Sequence, residues 1–373
     1  GAMVDVIMTD AAREFVVPLT FQALTHRPVV VEMFDLLAET EIGHVSLARR
    51  ADLLIVAPAT ANTLAKLAAG LAENMLTTTA LATEAPILLA PAMESHMWTN
   101  PLTQDNVARL RQVRDVTQVG PGEGRLASGA SGPGRMAEPD EILDAARWVL
   151  GRAGPLAGRR VVVTAGGTRE PLDPIRFLGN RSSGRMGYAL AHAARDRGAR
   201  VTLVSTAGGA APFGAELVPV ETAAEMRDAV LAAMVGANVL LMAAAVADYA
   251  PATRAGQKIK KGEGDLALKL SRTPDILAEV ARAGREGQVI AGFAAETENL
   301  LANARHKLER KGLDLIVAND ARQAMGAADN QVTLLAADGT VRELPLLAKD
   351  EVAEQILDQV VDMLAARNKQ LGD

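Results

Sequence analysis

The chain has 373 residues, 49% of them apolar and 3% aromatic, with a formal charge of −6 and no cysteine. Without cysteine, disulfides, thiolate metal sites and thiol catalysis by this chain are excluded. With 39 basic against 45 acidic residues, no basic block and no apolar run near the roughly 18 residues of a membrane span, nucleic acid and membranes are not expected partners.

A prior of about 150 residues per domain predicts two doubly wound α/β domains. Gly1-Ala2-Met3 reads as a cloning remnant, and Val4 to Met8 behind it as a strand, so the chain is read as starting inside a fold. A charged-then-apolar leader is not seen, and a cytoplasmic protein is expected. Strand-like runs at Val29 to Val31, Leu53 to Ala57 and Ile87 to Ala90 then alternate with helical stretches such as Thr63 to Ala72. Continuous apolar strands alternating with amphipathic helices predict a parallel sheet covered on both faces. Gly151 to Gly158 breaks both periodicities and is the expected linker, which divides the chain into domains 1–150 and 159–373.

The second series predicts strands at Arg160 to Thr164, Arg200 to Ser205, Val239 to Ala243, Val289 to Phe293 and Leu313 to Val317. Helices are expected at Arg185 to Arg197, Ala223 to Val235, near Glu298 to Lys311, and at Lys349 to Asn368. Val332 to Leu335 and Val341 to Leu344 flank Asp338-Gly339, a hairpin signal. This half reads as a Rossmann-like domain with a small antiparallel extension.

Between its first strand and helix lies TAGGTREPLDPIRFLGNRSSGRMG, Thr164 to Gly187, about four times longer than a nucleotide-binding turn requires. The helix entered at Gly184 aims its N-terminal amides at this loop, a ready anion site. Thr168, Arg169, Glu170, Arg176, Asn180, Ser182 and Ser183 crowd polar groups into the mouth of the sheet, where α/β proteins bind ligands. AAAVADYAP puts Asp248 just past a strand, KIKK (Lys258 to Lys261) follows, and Lys307 and Lys311 share one helical face. Taken singly, these features are equally a tight strand-to-helix connection, a solvated loop and a solvated stripe.

Together, GGTREPLDPIRFLGNRSSGRMG, AAAVADY, KIKK, GFAAET (Gly292 to Thr297) and DLIVAND (Asp314 to Asp320) resemble the motifs of phosphopantothenate:cysteine ligases, in order. The resemblance implies that a substrate carboxylate attacks the α-phosphorus of CTP, with a divalent metal (Mg²⁺ or Mn²⁺) present, and that the cysteine amine then displaces CMP. It implies that Asn180 holds the acyl cytidylate, that Lys258 neutralises developing charge, and that Arg176 and Ser182 touch the substrate. Met242, Ala243, Ala244, Asp248, Ser271, Arg272, Thr273, Pro274, Phe293, Lys307 and Lys311 match nucleotide-holding positions; the metal ligands are not identified. Lys is frequent in that family where this chain has Arg185.

The first half resembles the flavin-dependent decarboxylases fused to such ligases, through VIMTDAA, FVVPLTF, GHVSLARRADLLIVAPATANTLAK, PAMESHMW and GPGRM. The resemblance implies a flavodoxin-like, Rossmann-like FMN domain that oxidises the substrate thiol so that carbon dioxide leaves, then returns the hydride. His44 matches the catalytic histidine, and Thr9, Thr60, Asn62 and Thr63 match flavin-contacting positions. The family's first strand and phosphate loop have no counterpart before Val4; its PAMN is PAME, putting Glu94 against the substrate; and its flap cysteine is Ser128, a weaker acid. An ionised Glu94 would repel a carboxylate unless its pKa were raised. The resemblance further implies ligase dimers, decarboxylase trimers and a dodecamer. Two rivals stand beside this reading: a first domain that serves only as an oligomerisation module, and an NAD(P) oxidoreductase. The second requires an acid closing the strand after the loop, where the sequence has Val204-Ser205-Thr206.

Overall fold

Uninterrupted Val, Ile and Leu runs become parallel strands buried on both faces, and the loops at their carboxyl ends carry the polar residues. The computed structural model describes residues 2–33, 43–261, 265–284, 287–296, 298–320 and 329–371. The chain divides into two units, Gly1–Leu150 and Gly151–Asp373.

In the first unit β1 (Val6–Ile7) pairs in parallel with β2 (Val29–Val30). A separate parallel sheet runs β3 (Leu54–Ala59), β4 (Ile87–Pro91), β5 (Val116–Gln118). Among the described residues the expected sheet comes in two pieces and β3 is paired with β4 alone, with Ile55 42% exposed. A hairpin of β6 (Gly122–Arg125) and β7 (Ser131–Arg135) follows. The helices are α1 (Asp10–Arg13), α2 (Pro18–Thr25), α3 (Gly43–Arg50), α4 (Ala61–Ala69), α5 (Met75–Ala82), α6 (Ser95–Thr99), α7 (Pro101–Val113) and α8 (Pro139–Gly151). Leu64 of α4 and Val107 and Leu110 of α7 pack with Val56, Ile87 and Leu89 of the sheet. Helix α4 ends earlier than its apolar pattern because Gly70, at φ 71°, turns its N–H back onto the Leu67 and Lys66 carbonyls.

The second unit is built on eight strands: β8 (Arg160–Ala165), β11 (Arg200–Ser205), β12 (Glu216–Pro219), β13 (Val239–Met242), β16 (Val289–Glu296), β17 (Leu315–Asp320), β19 (Val332–Ala336) and β20 (Val341–Glu343). Their order is β12-β11-β8-β13-β16-β17-β19-β20. The first six run in parallel, and β19 and β20 are antiparallel, turning at Asp338-Gly339 as the sequence predicts. Short antiparallel pairs join β9 (Arg169–Pro171) to β10 (Phe177–Gly179), β14 (Tyr249–Pro251) to β15 (Leu270–Arg272), and β18 (Asp329–Asn330) to β21 (Leu347–Ala348). Helices α9 (Arg185–Asp196) and α13 (Lys349–Leu371) cover one face of the large sheet; α10 (Ala223–Ala233), α11 (Ile276–Ala283) and α12 (Leu300–Lys311) cover the other. Both faces are thus closed by apolar side chains, the doubly wound arrangement. Among the described residues no helix is long and apolar enough to cross a membrane.

Gly151 to Gly158, the expected linker, starts where the two units divide and packs onto the second: Leu156 is fully buried in its core and donates its N–H to the Arg197 carbonyl at 2.8 Å.

Helix α9 lies against β8 because Gly187 has no side chain: a Cβ there would stand 2.5 Å from the Ala165 Cβ and 2.6 Å from the Thr164 carbonyl oxygen. Gly187→Ala should therefore destabilise the second unit by about 2–3 kcal/mol through overpacking, read as a lower denaturant midpoint with an unchanged slope.

Candidate active site

The chain leaves β8 for β11 on one side and later returns to lay β13 on the other, so the strand order reverses between β8 and β13. Such a reversal opens a crevice at the carboxyl ends of the strands. The two loops that line it are stitched together. Thr164 Oγ1 accepts the Ala244 N–H at 3.0 Å, Thr168 Oγ1 accepts the Ala247 N–H at 2.9 Å, and Ala245 N–H donates to the Gly166 carbonyl at 2.8 Å. Asn180 Nδ2 donates to the Ala245 and Val246 carbonyls at 3.3 and 3.2 Å.

These contacts wall an open cavity of about 940 Å³. Asn180, Ser182 and the start of α9 form one part of it. Met242 ends β13 and Ala243, Ala244 and Asp248 follow it, with Arg272, Thr273 and Pro274 also in the wall; Phe293, Lys307 and Lys311 come from β16 and α12. Gly184 caps α9 at φ 77° with no side-chain partner, which a residue with a Cβ adopts only under strain. Lys307 Nζ donates to the Phe293 carbonyl at 2.7 Å, and Lys311 pairs with Asp275 at 3.0 Å. Burial pushes the Asp275 carboxyl up, but Lys311 and the Ala278 N–H outweigh it and hold the group below its ordinary range.

Three residues expected at the site stand outside the cavity lining. Arg176 is committed to Asp173 and the Ile259 carbonyl, Ser271 donates its hydroxyl to the Ala250 carbonyl, and Lys258 is exposed on its loop. Thr297 of the GFAAET motif lies outside the described residues.

In the first unit Thr9 caps α1 and Thr60 caps α4, each accepting a backbone N–H at 3.3 Å, from Ala12 and Thr63. The Thr60 and Thr63 hydroxyls lie 3.1 Å apart and Asn62 is exposed beside them. His44 is in the first turn of α3, and Ser128 sits at the exposed tip of the β6–β7 hairpin, closed by the Gly129 N–H to the Leu126 carbonyl. Glu94 is taken by its own helix: it caps α6, accepting the His96 N–H at 2.6 Å and facing the His96 ring at 3.1 Å. The side-chain contact with His96 holds its carboxyl below the ordinary range, the opposite of the rise that would let it donate to a substrate carboxylate.

Residues 1–150 match the Flavoprotein family, and residues 156–364 match the DNA/pantothenate metabolism flavoprotein C-terminal domain. The chain is 46% identical over 380 residues to coenzyme A biosynthesis bifunctional protein CoaBC of Bacillus subtilis (strain 168), spanning 100% of this chain and 92% of that one. It is 47% identical to the protein of that name from Mycobacterium tuberculosis (strain ATCC 25618 / H37Rv), spanning 97% and 90%. The chain belongs to the bifunctional coenzyme A biosynthesis proteins. The solved C-terminal domain of such a CoaBC aligns with a TM-score of 0.50 at 41% identity, over 57% of this chain and 99% of that domain.

As a bifunctional coenzyme A biosynthesis protein, the chain is an enzyme with a ligase and a decarboxylase activity, and its first unit is a flavoprotein domain. The donor set there fits FMN. Thr9, Thr60, Asn62 and Thr63 offer hydroxyls and an amide at two helix starts; the first turn of α4 carries no acid, and Asp10 of α1 is exposed and paired with Arg13. In the ligase unit, Arg310, Asn319, Asn330 and Lys349 also line the cavity, and the sequence reading missed them. They lie on four separate elements, α12, β17, β18 and α13, brought together by the fold; only Asn319 falls inside a motif, DLIVAND, and no local spacing announces the other three. Burial, then the neighbouring Arg185, lowers the Lys349 ammonium below its ordinary range.

Proposed function

We propose that the C-terminal unit joins 4'-phosphopantothenate to L-cysteine at the expense of CTP, and that the N-terminal unit decarboxylates the resulting 4'-phosphopantothenoyl-cysteine to 4'-phosphopantetheine with FMN. What carries the ligase reading is one cavity at the strand-order reversal that gathers Asn180, the N-terminus of α9 and the cations Arg272, Lys307 and Lys311. In this reading the substrate carboxylate attacks the α-phosphorus, forming the acyl–phosphate bond as pyrophosphate leaves. The cysteine amine then attacks the acyl carbon, forms the amide, and CMP departs. Lys307 and Lys311 meet the phosphates, Asn180 and Ser182 orient the acyl cytidylate, and Lys258 balances charge as it forms or breaks. In this reading Mg²⁺ would be brought by the triphosphate and would neutralise phosphate charge.

FMN, when bound, takes up and returns the hydride that lets carbon dioxide leave. His44 moves protons beside it, and Ser128 on the hairpin tip supplies the last proton. The assembly in this reading is the homo-oligomer of ligase dimers and decarboxylase trimers, a dodecamer. The exposed Phe15, Val17, Leu19 and Leu24 support a contact at the first unit. Pyrophosphate release with 4'-phosphopantothenate, cysteine and Mg²⁺ should run with CTP at least tenfold faster than with ATP, and protein purified with FMN should be yellow and release carbon dioxide. Equal rates with both nucleotides would remove CTP from the reading, and colourless protein without carbon dioxide would remove the flavin half.

A further inference from the structure

A short Gly-rich turn would suffice to lead β8 into α9; the residues added here build a hairpin. β9 and β10 pair Arg169 with Gly179, Glu170 with Leu178 and Pro171 with Phe177, and the Arg169 guanidinium lies 5.4 Å from the Phe177 ring centre. The base of the hairpin is fixed by buried polar groups: Thr168 takes the Ala247 N–H, and the Glu170 carboxylate takes the Ala223 N–H at 2.9 Å. Asn180 follows β10 directly, so its place in the cavity wall is set by this base.

The tip is fixed just as firmly, to a different segment. Asp173 is 2% exposed. Its carboxylate accepts the N–H groups of Ile175 and Arg176 at 2.8 Å each, that of Ile259 at 3.1 Å, and Arg176 Nε and Nη2 at 3.0 and 2.6 Å. Arg176 Nη2 also donates to the Ile259 carbonyl at 2.6 Å, and the Leu172 carbonyl accepts the Ala255 N–H at 3.0 Å. One ion pair therefore holds both the N–H and the C=O of Ile259, fixing the peptide planes on either side of the residue between Lys258 and Lys260. Burial pushes the Asp173 carboxyl up, but this set of donors outweighs it and keeps the group well below the usual carboxylate range.

A buried carboxylate is costly unless its partners are complete, and here they are. The loop it pins would resist ordering without such an anchor, because Lys258, Lys260 and Lys261 repel one another and Gly256 adds backbone freedom.

We propose that the Asp173–Arg176 pair is a positioning element of the ligase: it pins the lysine loop at Ile259 and, through the β9–β10 hairpin, fixes Lys258 relative to Asn180. The proposal rests on the role given to Lys258 above. Arg176 then acts through the loop rather than on the substrate. The hairpin is a strut with one ligase residue at its base and another at its tip, which supplies pre-organisation that a short turn could not.

The test uses the full chain with D173N, R176K, K258Q and the D173N/K258Q double variant. Trypsin cleavage after Lys258, Lys260 and Lys261, located by mass, should accelerate at least tenfold in D173N and less in R176K, which keeps the charge but loses the fork. The kcat of CTP-dependent ligation should fall at least tenfold in D173N with the KM for cysteine within twofold. In the K258Q background D173N should add less than a twofold further loss, because both changes act on the same group. Unchanged cleavage in D173N and R176K overturns the pinning, and fully multiplicative losses overturn the route through Lys258. A raised KM for 4'-phosphopantothenate in R176K with unchanged cleavage makes Arg176 a substrate ligand instead. If K258Q keeps the wild-type kcat, the role of Lys258 fails, and the cleavage arm still decides whether the pair pins the loop. Should D173N fail to fold, R176K carries both arms.

Discussion

Asn180→Asp should slow formation of 4'-phosphopantothenoyl-cysteine a hundred- to thousandfold while leaving the fold and the decarboxylase unit intact. The Asn180 amide donates to the carbonyls of Ala245 and Val246, in the loop that carries Ala244 and Asp248 into the cavity. A carboxylate has no hydrogen to donate, so both contacts become oxygen against oxygen. It also adds a negative charge to a cavity whose Arg272, Lys307 and Lys311 suit anions. At about 5 Å, with the effective dielectric of a protein surface, one added like charge costs roughly 3 kcal/mol, about two orders of magnitude in rate. Single-turnover measurement of product from 4'-phosphopantothenate, CTP and cysteine checks this. Wild-type turnover by the variant would mean that Asn180 does not face the acyl cytidylate.

His44→Gln should lower carbon dioxide release by about 10²- to 10⁴-fold, the usual contribution of a positioned proton-transfer group. Three and four residues after His44 come Leu47 and Ala48, the buried positions of α3, and the Thr83 hydroxyl holds the Ala48 carbonyl at 2.9 Å. That spacing puts His44 on the same face as the packed residues, half-buried in the first turn. Gln keeps a polar side chain of similar reach but does not exchange a proton near neutral pH. Flavin absorbance should persist, and pyrophosphate release with CTP should stay within twofold, because the ligase residues lie in the other unit. A variant that decarboxylates normally would strip His44 of its role; one that also loses ligation would show that the two units are not independent.

In the second unit β8, β11, β13, β16, β17 and the β19–β20 hairpin, with helices α9, α10, α12 and α13, were readable because the central strands are continuous apolar runs and these helices carry an apolar stripe; β12, a half-exposed ELVP, and the eight-residue α11 were not. The β9–β10 hairpin was not readable. REP and FLG carry no alternation, and only the pairing of Arg169 with Gly179 makes them strands. In the first unit the same weakness hid β5, β6 and β7. The resemblance implies that Arg176 touches the substrate; that its guanidinium is paired with Asp173, three residues earlier, needed coordinates.

The sequence by itself determined the class of the protein and the chemistry it carries. Apolar runs of strand length specify buried parallel strands through the solvent cost of exposing them, and spaced motifs of fixed residue type specify the reacting groups. Only the tertiary structure decided which of those groups share a space. The strand order brings Asn319, Asn330 and Lys349 to the wall formed by Met242 and Asp248. The donors around Asp173 tie the hairpin tip to Ile259, 86 residues along the chain. Such contacts depend on distances between elements remote in sequence, which are set by packing the whole sheet and leave no trace in any local pattern.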